Sequence, residues 1–393
     1  MNTQSTDGLN TFGRKVDLIF QPCDGQAVID KLLALEPAAI IDVITTSDLR
    51  GRGGAGFPTG RKWQLAASTP SKRKFVICNA DEGEPGTFKD REILQRVPEK
   101  VFIGMLMCAR AIGASEGCIY LRGEYVYLLP DLLEQIGRFN AGLRQRGIDF
   151  SVTITCGSGA YVCGEETSLL ESMEGQRGEP RNKPPYPTVS GFLGHPTVVN
   201  NVETLVYCMM ILRDGPEMFR SMGTQHSRGA KVFCVSGDCS RPGICELELG
   251  MTIRAFTDLF GDGDCKAVQV GGSSGFCVPR KQFEETVIGF EGVPTGGAMM
   301  LFNSSRSMYH VLKNYLEFFC EESCGQCTPC RVGCQQLLKG IEAVKQGAKD
   351  STYLDGLTSL AQTMRRASKC GLGQSVANPF ISIVTNFREE ILY

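Results

Sequence analysis

Histidine is scarce in this sequence: only His195, His226 and His310 occur among 393 residues. Because histidine is the side chain that most often moves protons near neutral pH, a histidine-based mechanism has little support. Net charge is also small, −2 from 41 basic and 43 acidic residues that are interspersed along the chain. The concentrated basic patch that nucleic-acid binding requires is therefore not indicated, and we expect no nucleic-acid partner.

Long apolar runs are missing as well. No stretch approaches the roughly 18 uninterrupted apolar residues of a membrane-spanning helix, and the N-terminal MNTQSTDGLNTFGRKVD lacks the apolar segment of a signal peptide. We therefore expect no membrane span and a cytoplasmic location, either free or on the cytoplasmic face of a larger assembly.

Cysteine, in contrast, is abundant, with 18 residues. With no sign of export, metal or cluster ligation is favoured over disulfides, and isolated cysteines such as Cys108, Cys118 and Cys208 are expected to be small buried residues. Cys324, Cys327 and Cys330 form a CxxCxxC motif, and the glycine-flanked Cys370 is the natural fourth ligand. This pattern favours a [4Fe–4S] cluster.

Two alternatives to a cluster remain open at this stage. A structural zinc site is disfavoured because zinc usually takes two separated pairs of ligands, and unligated buried thiols are less favoured still. Cys320 and Cys334 lie close to the motif but outside it, each four residues from a ligand, and are interpreted as buried helix positions.

Hydrophobic periodicity predicts an α/β architecture followed by helices. Helical spacing occurs at 25–46, 98–113 and 129–146, and strand-like runs occur at 74–78, 118–121 and 150–155. A glycine-rich insert follows, with strands at 232–236, 267–270 and 299–302 and a helix at 253–260. The chain ends with four predicted helical segments, at 305–319, 331–346, 354–367 and 379–391. Asn378-Pro379 is predicted as the start of the last helix.

Two glycine-rich turns indicate a nucleotide-type ligand. Residues 51–56 satisfy G-x-G-x-x-G, but the run before them looks more helical than strand-like, so an ordinary Rossmann turn fits only in part. A second turn, 156–164, follows a strand, and both turns are accompanied by carboxylates. Backbone amides at such turns bind phosphate. The alternative for the first turn taken alone is a glycine-rich surface loop.

Six stretches together resemble one family: RGRGGAGFPTG (50–60), CNADEGEPGTFKDRE (78–92), GAYVCGEETSLLESMEG (159–175), KPPYP (183–187), VNNVETL (199–205) and ESCGQCTPCRVG (322–333). It is the FMN- and NADH-binding subunit of respiratory complex I (the 51 kDa type) and of NAD-linked hydrogenases and NAD-dependent formate dehydrogenases. The likeness covers nearly the whole chain. It implies a Rossmann-like α/β domain for flavin and nucleotide (1–228), a small α+β, β-grasp-like domain (229–302) and a helical bundle carrying an iron–sulfur cluster (303–393).

The resemblance also implies ligand contacts, residue by residue. The FMN contacts it implies are Gly51, Arg52, Gly53, Lys62, Asn79, Asp81, Gly164, Glu165, Asn200 and Asn201. The NADH contacts it implies are Phe57, Glu82, Glu84, Tyr161, Glu166, Lys183 and Tyr186. The cluster ligands it implies are Cys324, Cys327, Cys330 and Cys370.

In function, the resemblance implies a diaphorase subunit. Hydride would pass between NAD(H) and FMN, and single electrons would pass through the [4Fe–4S] cluster to or from partner subunits, among them a thioredoxin-like [2Fe–2S] subunit and further iron–sulfur subunits. The flavin would carry the chemistry, so no catalytic side chain is predicted. An electron-bifurcating flavin subunit and a non-catalytic scaffold stay open as alternatives. Leu65 stands where many relatives have an aromatic residue.

Overall fold

A computed structural model describes residues 14–392. Most of the polar N-terminal stretch analysed above lies outside these residues. The strands are β1 (Lys15–Val16), β2 (Phe75–Ala80), β3 (Glu116–Leu121), β4 (Ser151–Cys156), β5 (Thr197–Asn201), β6 (Ala230–Gly237), β7 (Gly243–Glu248), β8 (Cys265–Val270), β9 (Phe276–Pro279) and β10 (Ala298–Asn303).

Helices surround and follow these strands. They are α1 (Gly25–Leu33), α2 (Pro37–Thr46), α3 (Thr59–Ser68), α4 (Lys89–Arg96), α5 (Pro98–Ile112), α6 (Leu129–Gln145), α7 (Glu166–Met173), α8 (Val202–Asp214), α9 (Pro216–Arg220), α10 (Ile253–Phe260), α11 (Met308–Glu322), α12 (Thr328–Lys345), α13 (Tyr353–Ala367), α14 (Gly371–Ser375), α15 (Ala377–Asn386) and α16 (Arg388–Leu392).

A four-stranded parallel sheet, in the order β4-β3-β2-β5, forms the centre of the first region. Successive side chains of a strand point to opposite faces, and β2 shows this directly. Val76 and Cys78 join the core shared with α5 and α8, whereas Phe75 and Ile77 join the core shared with the C-terminal helices. Both faces of the sheet are thus covered, which is the arrangement that parallel sheets require.

A second, mixed sheet has the order β1-β7-β6-β10-β8-β9. Strand β10 runs parallel to β6, and the other neighbouring strands are antiparallel. Its apolar face packs on α10, with Phe233, Phe256 and Leu301 in one core. Strand β1 joins this sheet from the start of the chain, so residues within the range 1–228 contribute to the sheet of the insert.

Several sequence expectations need correction. The helical spacing over 25–46 belongs to two helices, because Pro37 has no N–H and begins α2 at its first turn. The predicted start at Asn378 is wrong: α15 begins at Ala377, and the Asn378 amide instead donates to the Ser274 carbonyl at 2.8 Å. The segment predicted at 379–391 is divided between α15 and α16.

The remaining predicted elements agree with the structure to within a few residues, and the helix predicted at 253–260 has those bounds. Strands β1, β5, β7 and β9 and helices α3, α4, α8, α9 and α14 were not predicted. Within residues 14–392, no helix is both long enough and apolar enough to cross a membrane.

Candidate functional site

A cavity of about 460 Å³ lies where β2 and β5 end, and we call it the sheet-edge cavity. Carboxyl ends of parallel strands meet at one edge of a sheet, which is where open α/β folds bind ligands. Three regions of the chain line its wall. The first region contributes residues within 53–55 and 79–90, the insert contributes residues within 271–276 and 294–296, and the helical region contributes residues within 371–378. The cavity therefore exists only when all three regions are packed together, and its volume is in the range of cofactor pockets.

The first glycine-rich turn is a closed loop between α2 and α3. Its base is held by the Gly51 N–H, which donates to the Phe57 carbonyl at 3.0 Å, and by the Thr59 N–H, which donates to the Leu49 carbonyl at 2.9 Å. A Cβ atom at Gly53 would lie 3.0 Å from the Cβ of Asn201, so glycine avoids a tight contact between the loop and β5. Since a helix precedes the loop, it is not a Rossmann strand–turn–helix.

Arg52 anchors this loop from behind the cavity. Its guanidinium is 2% exposed and donates to the carbonyls of Ala230 (3.1 Å), Arg228 (2.7 Å) and Arg50 (3.2 Å). Burial lowers the pKa of Arg52. The side chain of this predicted FMN contact is thus engaged with protein carbonyls and does not line the sheet-edge cavity.

Buried polar atoms in the cavity lack partners within the described residues. Asp81 and Thr87 both line it, and Asp81 Oδ2 and Thr87 Oγ1 accept or donate no hydrogen bond. Burial raises the pKa of Asp81 to about 7. Such groups are costly to bury unless a ligand satisfies them. Donor groups of a ribityl chain or flavin ring would do so, and the residues present therefore fit FMN.

Two further carboxylates beside the cavity are already occupied. Glu82 accepts from the N–H groups of Asp90 (2.9 Å) and Arg91 (3.1 Å) and so caps α4. Glu84 accepts from Tyr161 Oη at 2.7 Å and from Ser274 Oγ at 2.6 Å, which ties the loop after β2 to the insert. Burial raises the pKa of Glu84, although these hydrogen bonds oppose the shift.

Sequence reasoning missed a buried ionic network under the cavity. Lys89, 1% exposed, lies 2.6 Å from Asp90 Oδ1 and 3.0 Å from Glu203 Oε2. Lys231 also pairs with Glu203, at 3.1 Å, and Asn201 Nδ2 donates to Asp90 Oδ2 at 2.6 Å. The available signal was the Lys89-Asp90 pair, which lies within the stretch 78–92. The basic side chains of Arg52, Lys89 and Lys231 thus lie together with the carboxyl groups of Asp90, Glu203 and the nearby Glu82.

Six predicted residues form what we call the outer group: Phe57, Lys62, Glu165, Glu166, Lys183 and Tyr186. Lys62 Nζ lies 3.1 Å from Glu166 Oε2, and Lys183 Nζ lies 3.0 Å from Glu166 Oε1 and 2.7 Å from Glu165 Oε1. Burial alone would raise the pKa of Glu166, but the two ammonium groups outweigh it and the pKa is lowered. Phe57 and Tyr186 are 43% and 56% exposed and provide aromatic surface.

The structure thus divides the predicted ligand contacts between several places. Lining the sheet-edge cavity are Gly53, Asn79, Asp81, Gly164, Glu165 and Asn201 of the FMN set and Glu82, Glu84 and Tyr161 of the NADH set. The outer group contains Lys62 of the FMN set and Phe57, Glu166, Lys183 and Tyr186 of the NADH set, and Glu165 belongs to both places. Gly51 closes the base of the loop, and Asn200 accepts a hydrogen bond from Trp63 Nε1 at 2.8 Å. Another cavity, of about 310 Å³ between α1, α5 and α6, contains none of the predicted residues.

The four predicted cluster ligands lie together around a small cavity, which we call the thiol cavity. The loop between α11 and α12 carries Cys324 and Cys327, with Gly325 at φ +79° permitting its turn. Cys330 sits in the first turn of α12, and Cys370 directly precedes α14. Cys320 and Cys334 occupy helix positions and do not line the cavity, with Cys334 buried.

The arrangement of these thiols separates a cluster from a single ion. Within residues 14–392, no three side chains of the metal-binding types come close enough to hold one metal ion. Zinc would need its sulfurs about 2.3 Å from one centre, whereas a cubane cluster takes one thiolate at each of four iron corners. The four thiols around one cavity supply the ligand set that a cubane cluster takes.

Val162 and Leu372 line both the sheet-edge cavity and the thiol cavity. Both side chains are apolar and buried. The two cavities are therefore neighbours that share one apolar wall.

Comparison with known proteins agrees with this geometry. Residues 44–209 match the Nuo51 FMN-binding domain, and residues 310–393 match the NADH-ubiquinone oxidoreductase-F iron–sulfur binding region. The chain is 45% identical over 375 residues to the alpha subunit of the NAD-reducing hydrogenase HoxS of Cupriavidus necator, covering 93% of this chain and 62% of that subunit. It is 38% identical to the NADP-reducing hydrogenase subunit HndC of Solidesulfovibrio fructosivorans, covering 93% and 78% of the two chains.

A solved structure shows the same fold. The chain superimposes on a subunit in the crystal structure of NAD⁺-reducing [NiFe]-hydrogenase in the H₂-reduced state with a TM-score of 0.91 and 42% identity. The match covers 96% of this chain and 66% of that chain. This chain therefore spans somewhat less than two thirds of the length of the HoxS alpha subunit and of the subunit in that crystal structure.

Proposed function

Because the chain belongs to the family that combines the Nuo51 FMN-binding domain with the NADH-ubiquinone oxidoreductase-F iron–sulfur region, we propose that it is the diaphorase subunit of a multi-subunit NAD-linked enzyme. It exchanges hydride between NAD(H) and FMN and transfers single electrons through one [4Fe–4S] cluster to or from a partner subunit. The observation that carries this proposal is the shared wall of Val162 and Leu372 between the two cavities.

The sheet-edge cavity would hold the flavin. Gly53 allows close backbone approach, Asp81 offers an unpartnered carboxylate oxygen, and Asn201 is held in the wall by Asp90. Lys89 lines the cavity, and its ammonium group would attract an anionic group such as the FMN phosphate. When bound, FMN supplies the ability to exchange electrons in pairs with a nicotinamide and singly with a cluster.

Phe57, Glu166, Lys183 and Tyr186 of the outer group would bind the nicotinamide nucleotide, and Lys62 and Glu165 would contact the flavin beside it. The exposed rings of Phe57 and Tyr186 provide stacking surface for a base. Within this group Lys62 and Lys183 are both paired with carboxylates, so neither is free to bind a 2′-phosphate. This supports NAD(H) over NADP(H). Glu84 already accepts hydrogen bonds from Tyr161 and Ser274, so its carboxylate contributes little to the selection between the two nucleotides.

Electron transfer through the thiol cavity would require iron–sulfur partners. Cys324 and Cys327 are only partly buried, so the cluster loop lies near the protein surface, where another subunit can approach. A thioredoxin-like [2Fe–2S] subunit and further iron–sulfur subunits, in a hydrogenase, formate dehydrogenase or complex I-like assembly, are part of this proposal. The proposal also includes a cytoplasmic location and a division of the chain into three domains, which are 1–228, the β-grasp-like 229–302 and 303–393.

Anaerobic purification of the chain with its natural partners tests the proposal. Denaturation should release FMN, NADH should bleach the flavin absorbance, and an electron paramagnetic resonance (EPR) signal of one [4Fe–4S] centre should appear after the bleaching. Release of FAD, or a folded preparation without flavin, would contradict the cofactor assignment. Flavin bleaching without any cluster signal would contradict the electron path.

A further inference from the structure

The hydroxyl group of Ser323 lies against one predicted cluster ligand. Ser323 directly follows α11, and its Oγ is 3.2 Å from Cys330 Sγ. The same oxygen accepts a hydrogen bond from the Gly325 N–H at 3.3 Å. A cysteine that binds iron is a thiolate and has no proton to give. The single hydroxyl proton of Ser323 is therefore free to be donated to the sulfur.

A side-chain hydroxyl group reaches the sulfur of one predicted ligand, Cys330. Cys330 is the one of the four that is fully buried, at 6% exposure, and its contact with Ser323 depends on a side chain. Burial strengthens such a hydrogen bond because the local dielectric is low.

We propose that Ser323 is a positioning residue that donates a hydrogen bond to the Cys330 thiolate and thereby raises the reduction potential of the cluster. Reduction adds one electron, and part of its charge resides on the ligand sulfurs. A donor at the sulfur stabilises the reduced form more than the oxidised form, and hydrogen bonds to the sulfurs are among the determinants of cluster potential. The inference rests on the proposed assignment of Cys330 as a ligand.

An EPR-monitored redox titration of the full chain with its partners tests this proposal. In Ser323→Ala the ratio of reduced to oxidised cluster at a fixed potential should fall by up to about tenfold, which is ~59 mV for one electron. Ser323→Thr keeps the hydroxyl and should restore the wild-type potential. Iron content, flavin content and the rate of flavin bleaching by NADH should not change. Ser359→Ala, which removes a hydroxyl on α13 that bonds only to the Asp355 carbonyl, is the matched control.

The proposal would be overturned if Ser323→Ala kept full iron and the wild-type reduction potential. A shift of the reduction potential of this variant to a more positive value would also overturn it. If the alanine variant does not retain iron, Ser323→Cys provides the test, because a thiol is a weaker donor of similar size. That variant should shift the potential in the same negative direction by a smaller amount, and a wild-type potential would refute the role. Full iron in Cys330→Ala would instead contradict the ligand assignment on which the inference rests.

Discussion

The thiol cavity takes its four predicted ligands from two short segments, 324–330 and residue 370, whereas the sheet-edge cavity draws its wall from all three regions of the chain. The thiol cavity is formed by the loop between α11 and α12, the first turn of α12 and the residue that precedes α14. The sheet-edge cavity depends on the packing of the parallel sheet, the insert and the helices. A local site of this kind is sensitive to single ligands, and a dispersed site is sensitive to the contacts that hold its parts together.

The largest expected effect is at the thiol cavity. Cys370→Ser removes the ligand that comes from a separate segment, so most of the iron should be lost. Electron delivery to a natural partner should fall by about 100-fold or more, as for other residues that hold metal sites. Flavin bleaching by NADH should persist, because the sheet-edge cavity keeps its wall. Iron analysis and partner reduction are the measurements, with Cys320→Ser as control, and full iron in Cys370→Ser would make Cys320 and Cys334 the candidates.

At the sheet-edge cavity, we expect Gly53→Ala to weaken FMN binding. The added Cβ would lie 3.0 Å from that of Asn201 and push apart two parts of the wall. A cost of about 1–3 kcal/mol for overpacking corresponds to roughly 10- to 100-fold in the flavin dissociation constant. Flavin fluorescence during dilution measures it, and iron content should stay constant.

Gly137→Ala is the matched control for that substitution. This glycine lies inside α6, and a Cβ there meets nothing within 4 Å. The control should bind FMN normally and gain up to about 1 kcal/mol in stability from helix propensity. Equal flavin affinity in both variants would show that the close approach at Gly53 does not shape the site.

A smaller effect is expected in the outer group. Glu166→Gln removes the carboxylate that Lys62 and Lys183 share, and frees positive charge for a 2′-phosphate. The ratio of kcat/KM for NADPH to that for NADH should rise by about tenfold, or ~1.4 kcal/mol. The control is Glu171→Gln, because Glu171 lies on α7 with Glu166 but pairs with Arg181. This variant should leave the ratio unchanged. A constant ratio in Glu166→Gln would place nucleotide selection elsewhere.

The smallest effect concerns pH and the unpartnered Asp81. Its pKa of about 7 in the folded protein exceeds the ordinary value of 3.8, because burial disfavours the charge. Between these values the unfolded chain has lost the proton and the folded chain keeps it. The stability of the flavin-free protein should therefore fall as pH rises from about 4 to about 7.

Asp81→Asn should reduce this pH dependence without abolishing it, because burial also raises the pKa of Glu82 to about 7. Thermal unfolding of flavin-free protein at pH 5 and pH 8 measures the change. The exposed Asp42 provides the control substitution Asp42→Asn. An identical pH dependence in wild type and Asp81→Asn would mean that the carboxyl group is not protonated in the folded state.

The two sites also differ in how far the sequence predicts them. The CxxCxxC motif is contiguous, and strands such as β2 are short apolar runs, so both were predicted from local pattern. Strand β7 was missed because it contains Glu246, whose carboxylate is buried and accepts hydrogen bonds from the N–H of Leu18 at 2.7 Å and from Tyr207 Oη at 2.8 Å. Those partners are distant in sequence, and no local pattern reveals them.

Lys89 was missed for the same reason. A lysine beside an aspartate in a polar stretch normally indicates a solvated surface, and burial becomes favourable only because Glu203 lies 3.0 Å away. Arg52 illustrates the same limit, because no local pattern reveals that its guanidinium donates to three backbone carbonyls. Only the packed structure shows which of a charged residue's neighbours it uses.

The apolar wall of Val162 and Leu372 has a consequence for how charge leaves the sheet-edge cavity. Electrons tunnel across a few ångströms of hydrocarbon, whereas protons need a chain of hydrogen-bonding groups or water to move along. Neither side chain of this wall offers such a group, and transferring a bare charge through it is costly. In the proposed function, the two products of a hydride's oxidation would therefore separate in space: electrons would pass toward the thiol cavity, and the proton would stay on the side of Asp81 and the solvent.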